Sequence, residues 1–104
     1  MKKSNYSIRY LPTFSKDLNS ISHYMINTLE NKNIAENFYL EVKKEIEKRS
    51  FSPEAFEVYR HTKDGKYKWY RIYLKNFTIF YVVANGTMEV RRILYNKRNF
   101  KKLI

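Results

Sequence analysis

The sequence predicts a single α+β domain, and three observations predict it. Two consecutive stretches carry apolar residues at helical spacing, the last third reads as strands joined by short turns, and only two glycines and two prolines punctuate 104 residues. A chain of that length builds one core and is too short for two, so residues 1–104 are expected to form one domain. The expected order is an N-terminal strand, then an antiparallel helical hairpin packed on an antiparallel sheet. A three-stranded C-terminal meander completes that sheet, and a short basic C-terminal segment follows.

Tyr6 to Leu11 alternates, with Tyr6, Ile8 and Tyr10 on one face, and reads as the first strand. Pro12-Thr13 ends it and opens a helix, because proline is tolerated in a first helical turn. Phe14, Leu18, Ile21, Met25 and Leu29 then recur at helical spacing. Asn31-Lys32-Asn33 is the break. Asn33, followed three residues later by Glu36, has the pattern of an N-cap with a carboxylate reaching back, and Ile34, Phe38, Val42 and Ile46 form a second stripe. That helix cannot continue past Pro53, so residues 50–64 are expected to be a loop pinned by Phe51 and Phe56. Strands are expected at 66–74, 77–84 and 87–95. Asn85-Gly86 accepts positive φ at both central positions of a type I′ hairpin, and Lys75-Asn76 is a second, less diagnostic turn. The middle strand, Phe77 to Val83, is apolar on both faces and belongs in the interior of the sheet, with the helices over one side. The other face, or the rim at the C-terminus, is left to function.

Charge is distributed unevenly. The net charge is +11; residues 1–59 hold nine Lys and Arg against eight Asp and Glu, whereas residues 60–104 hold twelve against two. Arg91 to Lys102 alone packs six cations with no acid, yet its first half carries Ile93, Leu94 and Tyr95, which a loose basic tail would not. So lopsided a field attracts polyanions and makes nucleic acid the leading partner class, with an acidic protein surface as the alternative. The chain has no cysteine, so disulfides, thiolate catalysis and cysteine-based zinc sites are excluded, which fits a reducing compartment. No apolar run approaches membrane-spanning length, and no apolar segment follows Lys2-Lys3, so a cytoplasmic location is expected and no membrane partner. His23 and His61 stand far apart without acids at ligand spacing, and glycine occurs only at 65 and 86. Neither a metal nor a nucleotide or other small-molecule cofactor is expected.

Alternation over 66–74 puts Tyr70, Ile72 and Leu74 toward the core and Trp69, Arg71 and Tyr73 on the other side. A cation between two rings can stack on an unpaired base while holding a phosphate, worth about 1–3 kcal/mol per base. The competing reading is that strands favour aromatics anyway and that Arg71 pairs with Glu41 or Glu45. Strand 87–95 separates Val90, Arg92 and Leu94 from Arg91, Ile93 and Tyr95, so one arginine must face a covered side unless the helices stop short of it. Arg98 and Lys97 lie just past the strand end, where side chains converge, and Arg98 is the best candidate for a phosphate contact. Lys68, Trp69, Tyr73, Arg92, Lys97 and Lys101 complete the candidate nucleic-acid surface.

The element order, Tyr6-Ser7-Ile8-Arg9-Tyr10-Leu11-Pro12 with Lys16-Asp17-Leu18, Tyr70-Arg71-Ile72, Asn76 to Val83, and Arg92-Ile93-Leu94-Tyr95-Asn96-Lys97-Arg98 together resemble the RelE/ParE superfamily of bacterial toxins. The resemblance implies the toxin of a type II toxin-antitoxin pair, with a cognate antitoxin encoded beside it. It implies one of two actions. A RelE-like member enters the ribosome and cleaves mRNA without metal, as an mRNA interferase; a ParE-like member poisons DNA gyrase and is no nuclease. An inactive relic that only binds its antitoxin is a third reading. The RelE-like pattern puts catalytic cations at Arg71 and Arg98, but wants an arginine where this chain has Thr78 and a tyrosine near Ile104. Tyr95 or Tyr73 is the phenol that could substitute. The expected action is the ribosome-dependent endoribonuclease, with Arg71, Arg98 and Tyr95 catalytic, and gyrase poisoning as the alternative.

Overall fold

The computed structural model describes residues 6–104, except for the side chain of Lys101. Eight elements follow one another: β1 (Ser7–Tyr10), α1 (Pro12–Asn27), α2 (Lys32–Arg49), β2 (Val58–His61), β3 (Lys68–Leu74), β4 (Phe77–Ala84), β5 (Thr87–Tyr95) and α3 (Phe100–Leu103). The sheet order is β1-β5-β4-β3-β2. Strands β2 to β5 are antiparallel neighbours, but β1 enters parallel to β5, Ser7 opposite Thr87 and Tyr10 opposite Val90, so the sheet is mixed. A strand followed by two helices and a meander returns to the first strand running in its direction, which the alternation within each strand does not reveal.

Pro12 opens α1 because its missing N–H is one that the first turn leaves unpaired anyway. Phe14, Leu18 and Met25 bury one face, while the helix closes at Asn27 and Leu29 is left half-exposed. The cap of α2 is Asn31, not Asn33. Asn31 is extended and its Oδ1 accepts the Ile34 N–H at 3.1 Å, so Asn33 already lies within the helix. The buried stripe therefore runs Ala35, Phe38, Val42 and Ile46, and Ile34 sits at the surface.

The phenylalanines of the loop after α2 are both about half-exposed, and burial of neither holds it. Pro53 is buried instead: the Tyr81 hydroxyl donates to its carbonyl at 2.6 Å and accepts from Arg49 Nη1 at 2.9 Å. The same guanidinium donates to the Arg71 carbonyl at 3.0 Å and lies 3.5 Å over the Phe56 ring. The chain then forms β2, an edge strand of four residues that sequence reading assigns to loop. Its register with β3 slips between Val58 and Arg60, and this bulge breaks the alternation that would have marked a strand. At the β4–β5 turn Asn85 and Gly86 have φ of 51° and 75°, as a type I′ hairpin requires.

Both faces of the sheet are covered. Tyr70, Ile72, Ile79, Tyr81, Met88, Val90 and Ile93 pack under α1 and α2. On the opposite face Trp69, Phe80, Val82 and Leu94 form a second core, closed by Phe100, Leu103 and Ile104 as the C-terminal segment folds back. Phe80 meets Phe100 edge-on at 5.0 Å. The face expected to stay open for function is thus occupied by the chain itself.

Candidate functional surface

A bulge decides where the arginines of β5 go. Phe80 pairs with Arg92 but Tyr81 pairs with Val90, so Arg91 is the extra residue. Val90 and Ile93 both enter the helix-side core, and neither arginine does. Arg91 turns to Glu89, Nη2 to Oε1 at 2.9 Å, and lies 5.5 Å from both the Tyr67 and Trp69 rings.

Arg92 is the most tightly held cation. β1 stops opposite Val90, so the next stretch of the β5 edge has no strand beside it, and α1 supplies a side chain there. Asp17 accepts from Arg92 Nε at 2.7 Å, from Arg92 Nη2 at 3.0 Å and from the Ile93 N–H at 3.1 Å. Arg92 Nη1 donates to the Leu103 carbonyl at 3.0 Å. The hydrogen bond to Asp17 raises the Arg92 pKa above its ordinary value, against the opposing effect of burial. Arg92, expected as a nucleic-acid contact, is thus engaged within the fold: its forks are filled by a helix carboxylate and a carbonyl of α3.

Trp69, expected as a stacking surface, is buried. Only 6% of it is exposed, packed edge-on to Phe80 at 6.1 Å, so it has no ring face for a base. Arg71 pairs with Glu57 at 3.3 Å, neither Glu41 nor Glu45, and sits 4.3 Å from the Tyr59 ring and 5.3 Å from Tyr73. Glu41 instead reaches Lys75 at 3.1 Å. Tyr73 is 64% exposed, and Lys68, Lys97 and Arg98 are exposed as well. The Arg98 N–H donates to the Tyr95 carbonyl at 2.9 Å, which fixes the backbone of the turn that carries it. Lys101 lies outside the described side chains.

Tyr95 leaves the sheet on the helix side. Its ring packs 5.6 Å from Phe77, which belongs to that core, and lines a hollow with Ile21, Tyr24 and Leu29. Arg71 leaves β3 on the opposite face, beside Tyr73, so the expected catalytic trio does not converge. At the position where an arginine was wanted, Thr78 is completely buried, and its hydroxyl bonds Asn96 Oδ1 at 2.6 Å. Sequence reading missed the roles of Asp17, Arg60 and Arg49. Arg60 Nη2 donates to the Ile104 carbonyl at 2.7 Å and helps hold α3 down. Only the pairing of Lys16-Asp17-Leu18 with an arginine-rich last strand hinted at the first of these. Among the described residues no group of three or more His, Asp and Glu is placed to hold a metal ion, and no helix is long and apolar enough to cross a membrane.

Residues 8–100 match the family described as ParE toxin of type II toxin-antitoxin system, parDE. No curated protein matches the chain. Among solved structures, the chain is similar to a chromosomal ParDE toxin-antitoxin system from P. aeruginosa, with a TM-score of 0.69 and 12% identity over 86% of this chain and 95% of that one. It is also similar to the archaeal RelE-RelB complex from Pyrococcus horikoshii OT3, with a TM-score of 0.51 and 19% identity over 91% of this chain and 99% of that one.

Proposed function

The chain belongs to the ParE toxin family of type II toxin-antitoxin systems, and on that premise we propose that it arrests growth by binding DNA gyrase, without cutting RNA, and is neutralised by a cognate antitoxin. The observation that carries this reading is the separation of Arg71 and Tyr95 onto opposite faces of the sheet. Metal-free cleavage needs a base, an acid and a charge stabiliser within hydrogen-bond reach of one phosphate, and Arg71 and Tyr95, on opposite faces, cannot both supply them, which of the two candidate phenols leaves only Tyr73 beside Arg71. Thr78 adds to it, since a buried, bonded threonine stands where the nuclease pattern asks for a cation. Trp69 offers no stacking face and Arg92 no free fork, which further weakens a grip on single-stranded RNA.

What remains available is a basic tip. Lys97, Arg98 and Lys102 are exposed at the end of β5 and on α3, and have no acid within ion-pair distance among the described residues. Such a tip steers the protein toward an enzyme that holds DNA, where association is fastest at low salt.

The test is to induce the chain alone and follow growth, mRNA ends and DNA supercoiling in parallel. Growth arrest with lost supercoiling and intact mRNA is expected, and Arg71→Ala should retain the arrest. Ribosome-dependent mRNA cuts with unchanged supercoiling, or an Arg71→Ala chain that no longer arrests growth, would overturn the reading in favour of the RelE-like one. A chain that does neither is the antitoxin-binding relic.

A further inference from the structure

The chain that leaves α2 encloses a hollow of about 360 Å³, lined by Arg49, Phe51, Phe56 and Ile72, with Glu45 and Lys48. Its shape is set by the backbone. The Ser50 N–H donates to the Ile46 carbonyl at 3.0 Å and the Ser50 hydroxyl to the Glu47 carbonyl at 2.6 Å. The Ser52 N–H then donates to the Arg49 carbonyl at 3.1 Å, and the Ala55 N–H to the Ser52 carbonyl at 3.2 Å. Phe51 and Phe56 are the half-exposed aromatic walls of the hollow, and Ile72 of β3 contributes a buried aliphatic one.

Arg49 is fixed there by the fold, and yet only part of it is engaged. Nη1 donates to the Arg71 carbonyl at 3.0 Å and to the Tyr81 hydroxyl at 2.9 Å, while the Phe56 ring lies 3.5 Å from the centre of the guanidinium. Nε and Nη2 carry the remaining donors and have no hydrogen-bond partner among the described residues. No buried side-chain nitrogen or oxygen among those residues lacks a partner, so these two atoms reach solvent. Stacking on a ring leaves the in-plane donors of a guanidinium free, and Nε with Nη2 presents the pair of parallel N–H bonds that a carboxylate accepts. A guanidinium already held in place also loses little further freedom on binding.

The surrounding charge favours an anion. Lys48 lines the hollow and is exposed. Glu45, one turn before Arg49, is the one opposing charge in the lining, and it forms no ion pair among the described residues. The negative end of α2 is quenched, because the carbonyls of Ile46, Glu47, Lys48 and Arg49 all accept from the N–H groups of Ser50, Phe51 and Ser52. We propose that this hollow binds a small free carboxylic acid with an aryl or branched aliphatic body, its carboxylate bidentate on Arg49 Nε and Nη2 and its apolar body between Phe51, Phe56 and Ile72. The volume lies at the small end of ligand sites, which suits one ring or one branched chain and not a longer segment.

The test titrates the full chain with 3-phenylpropionate at fixed ionic strength, following the backbone amides and the arginine Nε–H resonances by NMR. A Kd of about 1 mM or below is expected, with the largest shifts at Arg49 Nε–H and the amides of Phe51 and Phe56. Acetate has the charge without the ring and 3-phenylpropionamide the ring without the charge, and each is expected to bind at least about tenfold more weakly. Equal binding of either, largest shifts at Lys97 and Arg98, or no saturation by about 10 mM overturns the proposal. Arg49 also ties α2 to Arg71 and Tyr81, so the deciding variant is Phe51→Ala, at a half-exposed position. It should keep the parent spectrum and bind about tenfold more weakly, and an unchanged Kd overturns the proposal. N-acetylglycylphenylalanine carries a similar acid on a chain and is expected to bind no more tightly; binding about tenfold tighter would assign the hollow to a protein C-terminus and overturn the free acid. Neither growth, gyrase nor mRNA is read here, so the outcome is independent of the proposed function.

Discussion

Replacing Asp17 with alanine should separate a structural Arg92 from a ligand-binding one. The wild-type carboxylate accepts three hydrogen bonds, from Arg92 Nε at 2.7 Å, Arg92 Nη2 at 3.0 Å and the Ile93 N–H at 3.1 Å, and the two side chains are 14% and 19% exposed. Removing one partner of a buried pair costs about 3–5 kcal/mol, because the other charge is left unpaired away from water. Here the guanidinium keeps the Leu103 carbonyl at 3.0 Å and some contact with solvent, which brings the cost below that range, to about 2–3 kcal/mol. For a domain of this size that lowers Tm by about 10–20 °C. Urea unfolding of Asp17→Ala, Arg92→Ala and the double variant should give a common m-value and a coupling of about 2 kcal/mol. An Asp17→Ala chain within about 0.5 kcal/mol of wild type, with no coupling, would refute the assignment and free Arg92 for nucleic acid.

Other substitutions probe the remaining joints. Tyr81→Phe removes a buried hydroxyl that donates to the Pro53 carbonyl and accepts from Arg49; a loss of about 1.5–3 kcal/mol in urea unfolding is expected. Gly86→Ala places a side chain at φ 75° in the β4–β5 turn, where strain and not crowding is the cost, and should lower stability by about 1 kcal/mol. Thr78→Arg, the substitution that would restore the nuclease pattern, buries a guanidinium at a completely buried site. It should cost more than about 3 kcal/mol and yield no mRNA cleavage on induction; cleavage by a folded variant would contradict the reading of that position. In the β2–β3 turn the Thr62 hydroxyl and then the Lys66 N–H hold the Asp64 carboxyl below its ordinary 3.8. A depressed carboxyl stabilises above its unfolded pKa and loses that contribution as pH falls from about 3.8 through the folded value. Asp64→Asn should therefore flatten the fall of Tm over that acid range, and an unchanged slope would count against it.

Most of the fold was legible wherever one pattern acted alone. Phe14, Leu18 and Met25, or the unbroken apolar run of β4, each follow from one periodicity, and Asn85-Gly86 names its own turn. Legibility failed where two local solutions compete. Asn31 and Asn33 both fit a cap, and only the positive φ of Glu30 and the extended Asn31 decide between them. The bulges at Tyr59 and Arg91 add one residue to a strand, which hid β2 altogether and made the facing of Arg91 and Arg92 undecidable from alternation. The candidate site was the least legible part. Whether Trp69 is a platform or a core residue depends on Phe100, Leu103 and Ile104 folding back over it, a contact between segments about thirty residues apart that no local pattern encodes.

The same long-range contacts change what the charge asymmetry means. Twelve cations against two acids in residues 60–104 suggest a continuous positive platform. In the folded chain Arg71 takes Glu57, Lys75 takes Glu41 and Arg92 takes Asp17, all acids of the first half, while Arg91 takes Glu89. Three cations within the sheet and Lys75 in the β3–β4 turn are thereby neutralised or engaged, and Lys68, Lys97, Arg98 and Lys102, at strand ends and on α3, keep their charge exposed. Flat recognition of a nucleic-acid strand needs cations along the middle of a face, between stacking rings. Cations gathered at strand ends leave the middle of that face without the free charge such a grip uses. The imbalance in the sequence thus reflects both how the two halves of the chain are tied together and how the folded protein meets its partners.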